Sequence, residues 1–227
     1  MDKIILTGNY RNCKIGNTIS ISSDRGKSVG YTGKSNTKLA PKWSFLEKWH
    51  DNIGKVDETE NNRFYIQEYW DKVLKQLDPE EILMNLPNRS ILLCFEENNQ
   101  FCHRHLVAFW LELFIGIKTY EVKTDEQTKM ATIIDRPEYL KDELEKVIKK
   151  NYNMSGFNSI RAAYLFHQAD KLEQIFEEQA NIWLKECGSI PSKGSSPCDI
   201  MTEAAGLRIE ADEEEAKYNK LLKLKRS

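Results

Sequence analysis

Short apolar runs and alternating polar and apolar positions predict several strands in the first half of the chain. Lys3–Thr7 is a short apolar run, and Thr18–Ser22 alternates β-branched and small polar residues with a period of two. The run Ser90–Phe95 is continuously apolar, as in a buried strand of a parallel sheet. Lys118–Val122 predicts one further strand.

Helical periodicity separates these strands. It predicts helices after Pro41, over Arg63–Leu77, from Asp78 to Leu86 and over His103–Ile115. Asp78 suits the N-cap position and Pro79 the first helical position, because the proline ring fixes a helical φ where no N–H is needed. Strands alternating with helices imply an α/β domain, with a small parallel or mixed sheet and helices on its faces.

The pattern changes after about Thr124. Pro137–Lys150 predicts a highly charged helix, and a long periodic segment runs from Ser155 to Glu186. We therefore expect an α/β domain over 1–125, a helical extension over 126–187, a linker over 188–202 and a charged helical tail over 203–227. The helical part is expected to pack on the domain or to form a homodimer through its C-terminal helices.

Composition narrows the class of protein. Hydrophobic residues make up 40% of the 227 residues, which is enough for a packed core. We find no apolar run of membrane-spanning length and no signal peptide, so no membrane partner is expected. Five cysteines without a framework spacing indicate reduced thiols and a cytoplasmic location.

Charge is unevenly distributed along the chain. Residues 1–42 carry eight basic and two acidic side chains, a local net charge of +6 in a protein whose formal charge is -2. Either this is a solvated basic surface, or it is a rim that binds an anion such as a nucleotide or nucleic acid. Ser22 and Arg25 follow the second predicted strand and could reach such a site. The Gly-Lys-Ser triplets at Gly26 and Gly33 lack the earlier glycine of a phosphate-binding loop, so an NTPase is rejected.

The densest chemistry lies between a predicted strand end and the next helix start. Cys94 and Glu96 follow the strand, and Cys102, His103 and Arg104 begin the helix. In open α/β sheets, ligands bind at the carboxyl ends of the strands. A helix N-terminus lowers the pKa of a thiol and attracts anions.

Three interpretations of this segment remain open. Cys102 or Cys94 is a nucleophile assisted by His103 and Arg104, or the two thiols and His103 bind a metal, or the side chains only pack. Structural zinc sites usually show two close ligand pairs, and Cys94 and Cys102 lack a second pair, so we predict no obligatory metal. The phosphatase spacing Cys-x5-Arg is absent, because Gln100 stands where the arginine is required. The five tryptophans lie at core-like helical positions, which makes base stacking the weaker interpretation of them.

Several segments together resemble DUF488, a YeaO-related domain-of-unknown-function family of bacteria and phages. They are Thr7–Tyr10, Ser20–Ser22, Leu39–Pro41, Leu77–Pro79, Ile91–Glu96 and Phe101–Val107, with an LLCxE…CHR signature. The resemblance covers about residues 1–125. It implies a small α/β domain in which the Cys-Glu and Cys-His-Arg pieces lie near one another, with Tyr10 and Ser22 as further contributors. The resemblance carries over neither an activity nor a cofactor, and the cofactor is unknown.

Two functions of different classes follow. The first is an enzyme acting on a small anionic, nucleotide- or nucleoside-like substrate. In it, Cys102 is the nucleophile or a redox-active thiol and His103 a proton carrier, Glu96 is a base or binds a substrate hydroxyl, and Arg104 clamps the anion. The alternative is a binding or interaction module in phage–host conflict or nucleic-acid processing, without catalysis.

Overall fold

The computed structural model describes residues 3–187 and 197–226 of the chain. The chain divides into two compact units, Met1–Asn151 and Tyr152–Ser227. Each unit has its own architecture and is described separately.

The first unit is built on a six-stranded mixed sheet in the order β3-β2-β4-β1-β5-β6. Its strands are β1 (Ile5–Asn9), β2 (Asn17–Ser20), β3 (Lys34–Ser35), β4 (Ser90–Cys94), β5 (Thr119–Thr124) and β6 (Ala131–Ile134). The first five are parallel to their neighbours, and β6 is antiparallel to β5. Every residue of β4 is buried, as expected for a central parallel strand, and the predicted α/β class is confirmed.

Five helices accompany the sheet. They are α1 (Trp43–Asn52), α2 (Glu58–Lys72), α3 (Pro79–Asn85), α4 (His103–Ile115) and α5 (Tyr139–Asn151). Asp78 caps α3 as predicted, since its Oδ1 accepts hydrogen bonds from the backbone N–H groups of Glu80 and Glu81. Helix α2 begins five residues earlier than its periodicity predicts, because Asp57 provides an N-cap that accepts from the Glu60 N–H.

The first unit continues beyond the expected boundary at residue 125. That position lies in the connection between β5 and β6, which form a hairpin of the same sheet. Helix α5 also belongs to this unit: Lys141 is bound to Glu112 of α4 at 2.7 Å, and Glu143 to Arg63 of α2 at 2.9 Å. The compact unit therefore ends at Asn151 rather than at 125.

The described residues of the second unit form two long helices, α6 (Ile160–Cys187) and α7 (Pro197–Arg226). Arg208 of α7 binds Asp170 and Glu173 of α6 at 2.7 and 2.8 Å, and Arg161 binds Glu210 at 2.7 Å, so the helices run antiparallel. The last part of the expected linker, 197–202, is helical, and the rest of it, 188–196, lies outside the described residues. Within 3–187 and 197–226, no helix combines the length and apolarity that crossing a membrane requires.

Candidate functional site

The carboxyl ends of three neighbouring strands meet at one edge of the sheet. Asn9 at the end of β1 is in register with Cys94 at the end of β4, and the Ile21 N–H beyond β2 donates to the Leu93 carbonyl. Helix α4 begins beside this edge with Cys102 at its N-cap position. The strand-end crevice expected from the sequence is therefore present.

A cavity of about 230 Å³ opens at this edge. It is lined by Ser22, Ser23, Asp24, Ser28, Pro41, Trp43, Leu46, Trp49, His50, Tyr65, Cys94, Phe95, Glu96, Phe101, Cys102 and His103. Four of the predicted site residues, Cys94, Glu96, Cys102 and His103, thus line one cavity together. The two thiols and His103 are almost fully buried, whereas Trp43 is 64% exposed, so the thiols and the imidazole form the inner end and Trp43 lies nearer the opening.

The two thiols share one imidazole nitrogen. His103 Nδ1 lies 3.5 Å from Cys94 Sγ and 3.9 Å from Cys102 Sγ. His103 Nε2 lies 3.0 Å from the Ile21 carbonyl oxygen, which can only accept, so Nε2 carries a proton and donates it. That bond holds the ring with Nδ1 toward both sulfurs. Cys102 Sγ also lies 2.8 Å from Glu96 Oε2, and these two atoms share one proton.

The electrostatics of the site favour a Cys102 thiolate. Burial opposes ionisation, but the hydrogen bond from Cys94 and the positive charges of Arg104 and His103 together lower the pKa of Cys102 well below its usual value. Burial and the neighbouring Cys102 raise the pKa of Cys94, so it stays a thiol and donates. The pKa of His103 is raised: burial opposes this, but the contact with Cys102 outweighs it.

Glu96 is the proton-bearing carboxyl of the cluster. Burial, followed by the charge of Cys102, raises the pKa of Glu96 to about 7. The proton between Glu96 and Cys102 therefore belongs to Glu96 below that pH. A nucleophilic sulfur, an imidazole and a protonated carboxyl at one point can serve as nucleophile, base and acid in covalent catalysis.

Arg104 does not line the cavity, which corrects the expectation that it clamps an anion directly. Its side chain is fully buried, and its Nε and Nη2 lie 3.2 and 3.0 Å from Glu121 Oε1. Nη2 also donates to the Glu97 carbonyl at 2.9 Å, and Thr7 Oγ1 donates to Glu121 at 2.5 Å. The helix turns this side chain toward β5, so Arg104 acts on the site through its charge and not through contact.

Sequence reasoning missed Glu121 and Thr7. Thr7 ends a predicted apolar run and Glu121 lies in a predicted strand, and neither stands out by its pattern. The parallel pairing of β1 with β5 places them side by side, next to Arg104 of α4. The side chain of His105 is also buried there, with Nε2 3.4 Å from Glu121 Oε2. Burial lowers the pKa of His105, so this histidine is neutral and Glu121 is balanced by Arg104.

Of the other predicted contributors, Ser22 alone lines the cavity. The Tyr10 hydroxyl lies 2.6 Å from Ser20 Oγ and 2.8 Å from Ser22 Oγ, and burial raises the pKa of Tyr10 to about 12. Tyr10 therefore orients Ser22 and is one residue removed from the cavity. Arg25 is exposed and outside the lining, next to Asp24.

Aromatic side chains line the walls of the cavity. Trp49 and Tyr65 pack against Phe101 with ring centroids 5.5 and 5.1 Å apart, and Trp43 stands near the opening. The prediction that the tryptophans are core residues is wrong for Trp43, which is the first residue of α1 and largely exposed. It is confirmed for Trp70 and Trp110, and the side chain of Trp183 lies outside the described residues.

One group of side chains in the described part of the chain has a metal-binding arrangement. The ligand atoms of Cys94, Cys102 and His103 all lie within 4.8 Å of one another. The expectation that these residues hold no obligatory metal remains a prediction.

Fold and site together define an α/β domain with a cysteine–histidine cavity at the carboxyl edge of its sheet. Residues 8–113 match the model of a protein family described as the active DUF488-N3 subclade, so the first unit carries a DUF488-family domain. The match spans all predicted site residues from Tyr10 to Arg104. No curated protein and no solved structure matches the chain.

Proposed function

We propose that the first unit is an enzyme that acts on a small anionic, nucleoside- or nucleotide-like substrate with Cys102 as its nucleophile. The observation that carries the proposal is the Cys102–His103–Glu96 cluster at the inner end of an aromatic cavity. Catalytic cysteines lie beside a cation that stabilises the thiolate. The cavity gives a substrate access to Cys102, although the thiol itself is almost fully buried.

The aromatic walls of the cavity favour a flat ring as the part of the substrate that enters it. Trp43, Trp49 and Phe101 offer ring faces and edges, and stacking a base on an aromatic side chain contributes about 1–3 kcal/mol. The lining contains no lysine or arginine, so a phosphate fits poorly inside. Arg25, Lys27 and Lys42 are exposed and are each next in sequence to a residue that lines the cavity. They provide a basic rim for the phosphate.

The groups have distinct roles in this reaction. The Cys102 sulfur forms a bond to an electrophilic carbon of the ring or its substituent, while the bond from that carbon to the leaving group breaks and the leaving group takes the Nδ1 proton of His103. Water then attacks the same carbon, the neutral His103 takes a proton from the water, and the carbon–sulfur bond breaks to restore the Cys102 thiolate. Cys94 donates a hydrogen bond to the Cys102 sulfur, and Arg104 supplies positive charge from behind.

A panel of nucleobases, nucleosides and nucleotides, followed by thermal shift, tests the proposal. At least one nucleotide should raise the unfolding temperature, and Trp43→Ala should reduce that rise. Met130→Ala, which truncates another exposed apolar side chain of the first unit, is the matched control and should leave the shift unchanged. If no compound of the panel stabilises the protein, or if the shift is the same in Trp43→Ala, the proposal fails.

A binding or interaction role is a second candidate because of the surface of the second unit. Exposed apolar side chains recur along α6 and α7: Ile175, Ile182, Leu184, Met201, Ile209, Leu221 and Leu224. Such side chains support self-association or partner docking. Sedimentation of the full chain should show a dimer that Leu221→Glu weakens; a monomer at all concentrations would remove self-association.

A further inference from the structure

We propose that Cys94, Cys102 and His103 form a binding site for a thiophilic divalent cation of the zinc class, which competes with the chemistry of Cys102. The inference deepens the proposed function, because the cation occupies the same side chains that the enzyme would use. Zinc is here a reversible inhibitor and not a resident cofactor.

The spacing of the ligand atoms matches a tetrahedral zinc site. With Zn–S of about 2.3 Å and Zn–N of about 2.0–2.1 Å, a tetrahedral ion separates a sulfur from a nitrogen by ~3.5–3.6 Å. The two sulfur-to-nitrogen distances at His103 Nδ1 are 3.5 and 3.9 Å. The cluster therefore needs shifts of only a few tenths of an ångström at these two edges.

The imidazole is already held as a ligand. In metal sites, a ligating histidine donates its second ring N–H to a carbonyl or carboxylate, which fixes the ring and its tautomer. His103 Nε2 donates to the Ile21 carbonyl at 3.0 Å, so Nδ1 is the ring atom that faces both sulfurs, and it becomes a ligand when its proton is displaced. This orientation is unchanged when a cation replaces the protons of the cluster.

The local sequence explains how three ligands meet. Cys94 ends β4, and Cys102 and His103 begin α4, so one loop of seven residues brings both ends of the set together. All three side chains line the cavity, which gives the ion an entry path and a fourth coordination position for water or Glu96. Cys13, the other buried thiol among the described side chains, packs against Ile91 and Leu93 and donates to the Val122 carbonyl.

Binding and release balance without a redox step. Besides the Nε2 proton, the cluster holds two exchangeable protons, one on the Cys94 thiol and one on His103 Nδ1, while Cys102 is a thiolate. One divalent ion replaces both of these protons. Binding therefore weakens as pH falls. The Cys102 sulfur then shares its lone pairs with the metal and cannot attack a substrate or an alkylating reagent.

The inference is tested by adding Co²⁺ or Zn²⁺, without any substrate, to the full chain. The protein is first freed of metal with a chelator and is kept in a non-thiol reductant. Co²⁺ should bind with a stoichiometry of one and give a thiolate-to-cobalt absorption band together with the visible bands of a tetrahedral ion. Zn²⁺ should displace it. Cys94→Ser and His103→Gln should weaken binding by about tenfold or more, since even the loss of outer-shell partners costs ~10–100-fold. Cys13→Ser is the matched control and should keep both bands.

A second readout uses the unaltered protein and does not depend on the folding of a variant. Zn²⁺ should protect both Cys94 and Cys102 from alkylation, as measured by mass spectrometry, and leave Cys13 unchanged. Absence of the thiolate band, or equal labelling of Cys94 and Cys102 with and without zinc, overturns the inference. If the metal-free protein still labels at Cys102 first and is stabilised by a nucleotide, the proposed function survives that failure. If zinc binds but no nucleotide does, the proposed function fails and the metal site stands.

Discussion

The Arg104 guanidinium faces Glu121, at 3.0 Å from Nη2 to Oε1, and turns away from the cavity that its neighbours Cys102 and His103 line. Both side chains are fully buried. The charge of Arg104 still lowers the pKa of Cys102, so the pair positions a cation behind the nucleophile. Glu121 balances that cation in an apolar environment.

Replacing Glu121 by Gln should strongly destabilise the protein. The change leaves a buried guanidinium without a counter-charge, and breaking a buried pair in this way costs about 3–5 kcal/mol. Urea unfolding measures the loss. As a control, Arg11→Ala removes an exposed pair with Glu97 and should cost no more than ~1 kcal/mol. Equal small losses in both variants would show that the Arg104–Glu121 pair does not support the fold.

The double variant Arg104→Met, Glu121→Gln separates packing from charge. Removing both charges relieves the unpaired guanidinium, so stability should partly recover relative to Glu121→Gln. The alkylation rate of Cys102 near neutral pH should nevertheless fall, because the cation that favours its thiolate is gone. Recovery of stability together with an unchanged alkylation rate would remove the positioning role of Arg104.

Glu96 should make stability depend on pH between about 4.5 and 7. Its pKa rises from 4.5 to about 7 in the folded protein because of burial. The folded state therefore holds this proton more tightly than the unfolded state, so the contribution is complete below pH 4.5 and is lost as pH rises through about 7. Urea midpoints across this range should fall less steeply in Glu96→Gln. Glu126→Gln, at an exposed pair with Lys14, should follow the unaltered protein; identical slopes in all three would contradict the assignment.

Asp24 shapes the loop at the cavity mouth. Its carboxylate accepts from the Gly26 N–H at 2.8 Å and from the Ser28 hydroxyl at 2.6 Å. Burial opposes ionisation, but these bonds and that of Ser22 lower the pKa of Asp24 to about 2. Asp24→Ala should therefore cost about 1 kcal/mol, as the loss of a cap does. This contribution is present above pH 3.8 and is lost as pH falls through about 2.

A matched loop tests whether the effect of Asp24 reaches the site. Asp125 caps the β5–β6 hairpin in the same way, through the N–H groups of Gln127 and Thr128. Asp125→Ala should destabilise its hairpin but leave nucleotide stabilisation unchanged, whereas Asp24→Ala should reduce it. A thermal-shift titration of both variants with the nucleotide measures this difference. Equal responses would show that the Asp24 loop has no part in nucleotide binding.

The sequence predicts which elements form the site better than it predicts the directions of the side chains around it. Ser90–Cys94 and His103–Ile115 are strongly patterned, so the meeting of Cys94, Cys102 and His103 at a strand end and a helix start followed from local sequence. The direction of Arg104 did not, because it depends on a parallel pairing of β1 with β5 across more than a hundred residues. Trp43 was misassigned to the core, since helical spacing does not show which face of α1 other elements cover.

The order in which the cysteines of the metal-free protein react with a mild alkylating reagent near neutral pH tests the central claim most directly. A thiolate is the reactive form, so Cys102 should be modified before Cys13, Cys94, Cys187 and Cys198, and a nucleotide that stabilises the protein should slow this modification. Mass spectrometry of the partly labelled protein assigns the order. If Cys187 or Cys198 reacts first while Cys102 stays inert in the native protein, Cys102 is a packing residue and the nucleophile proposal is wrong.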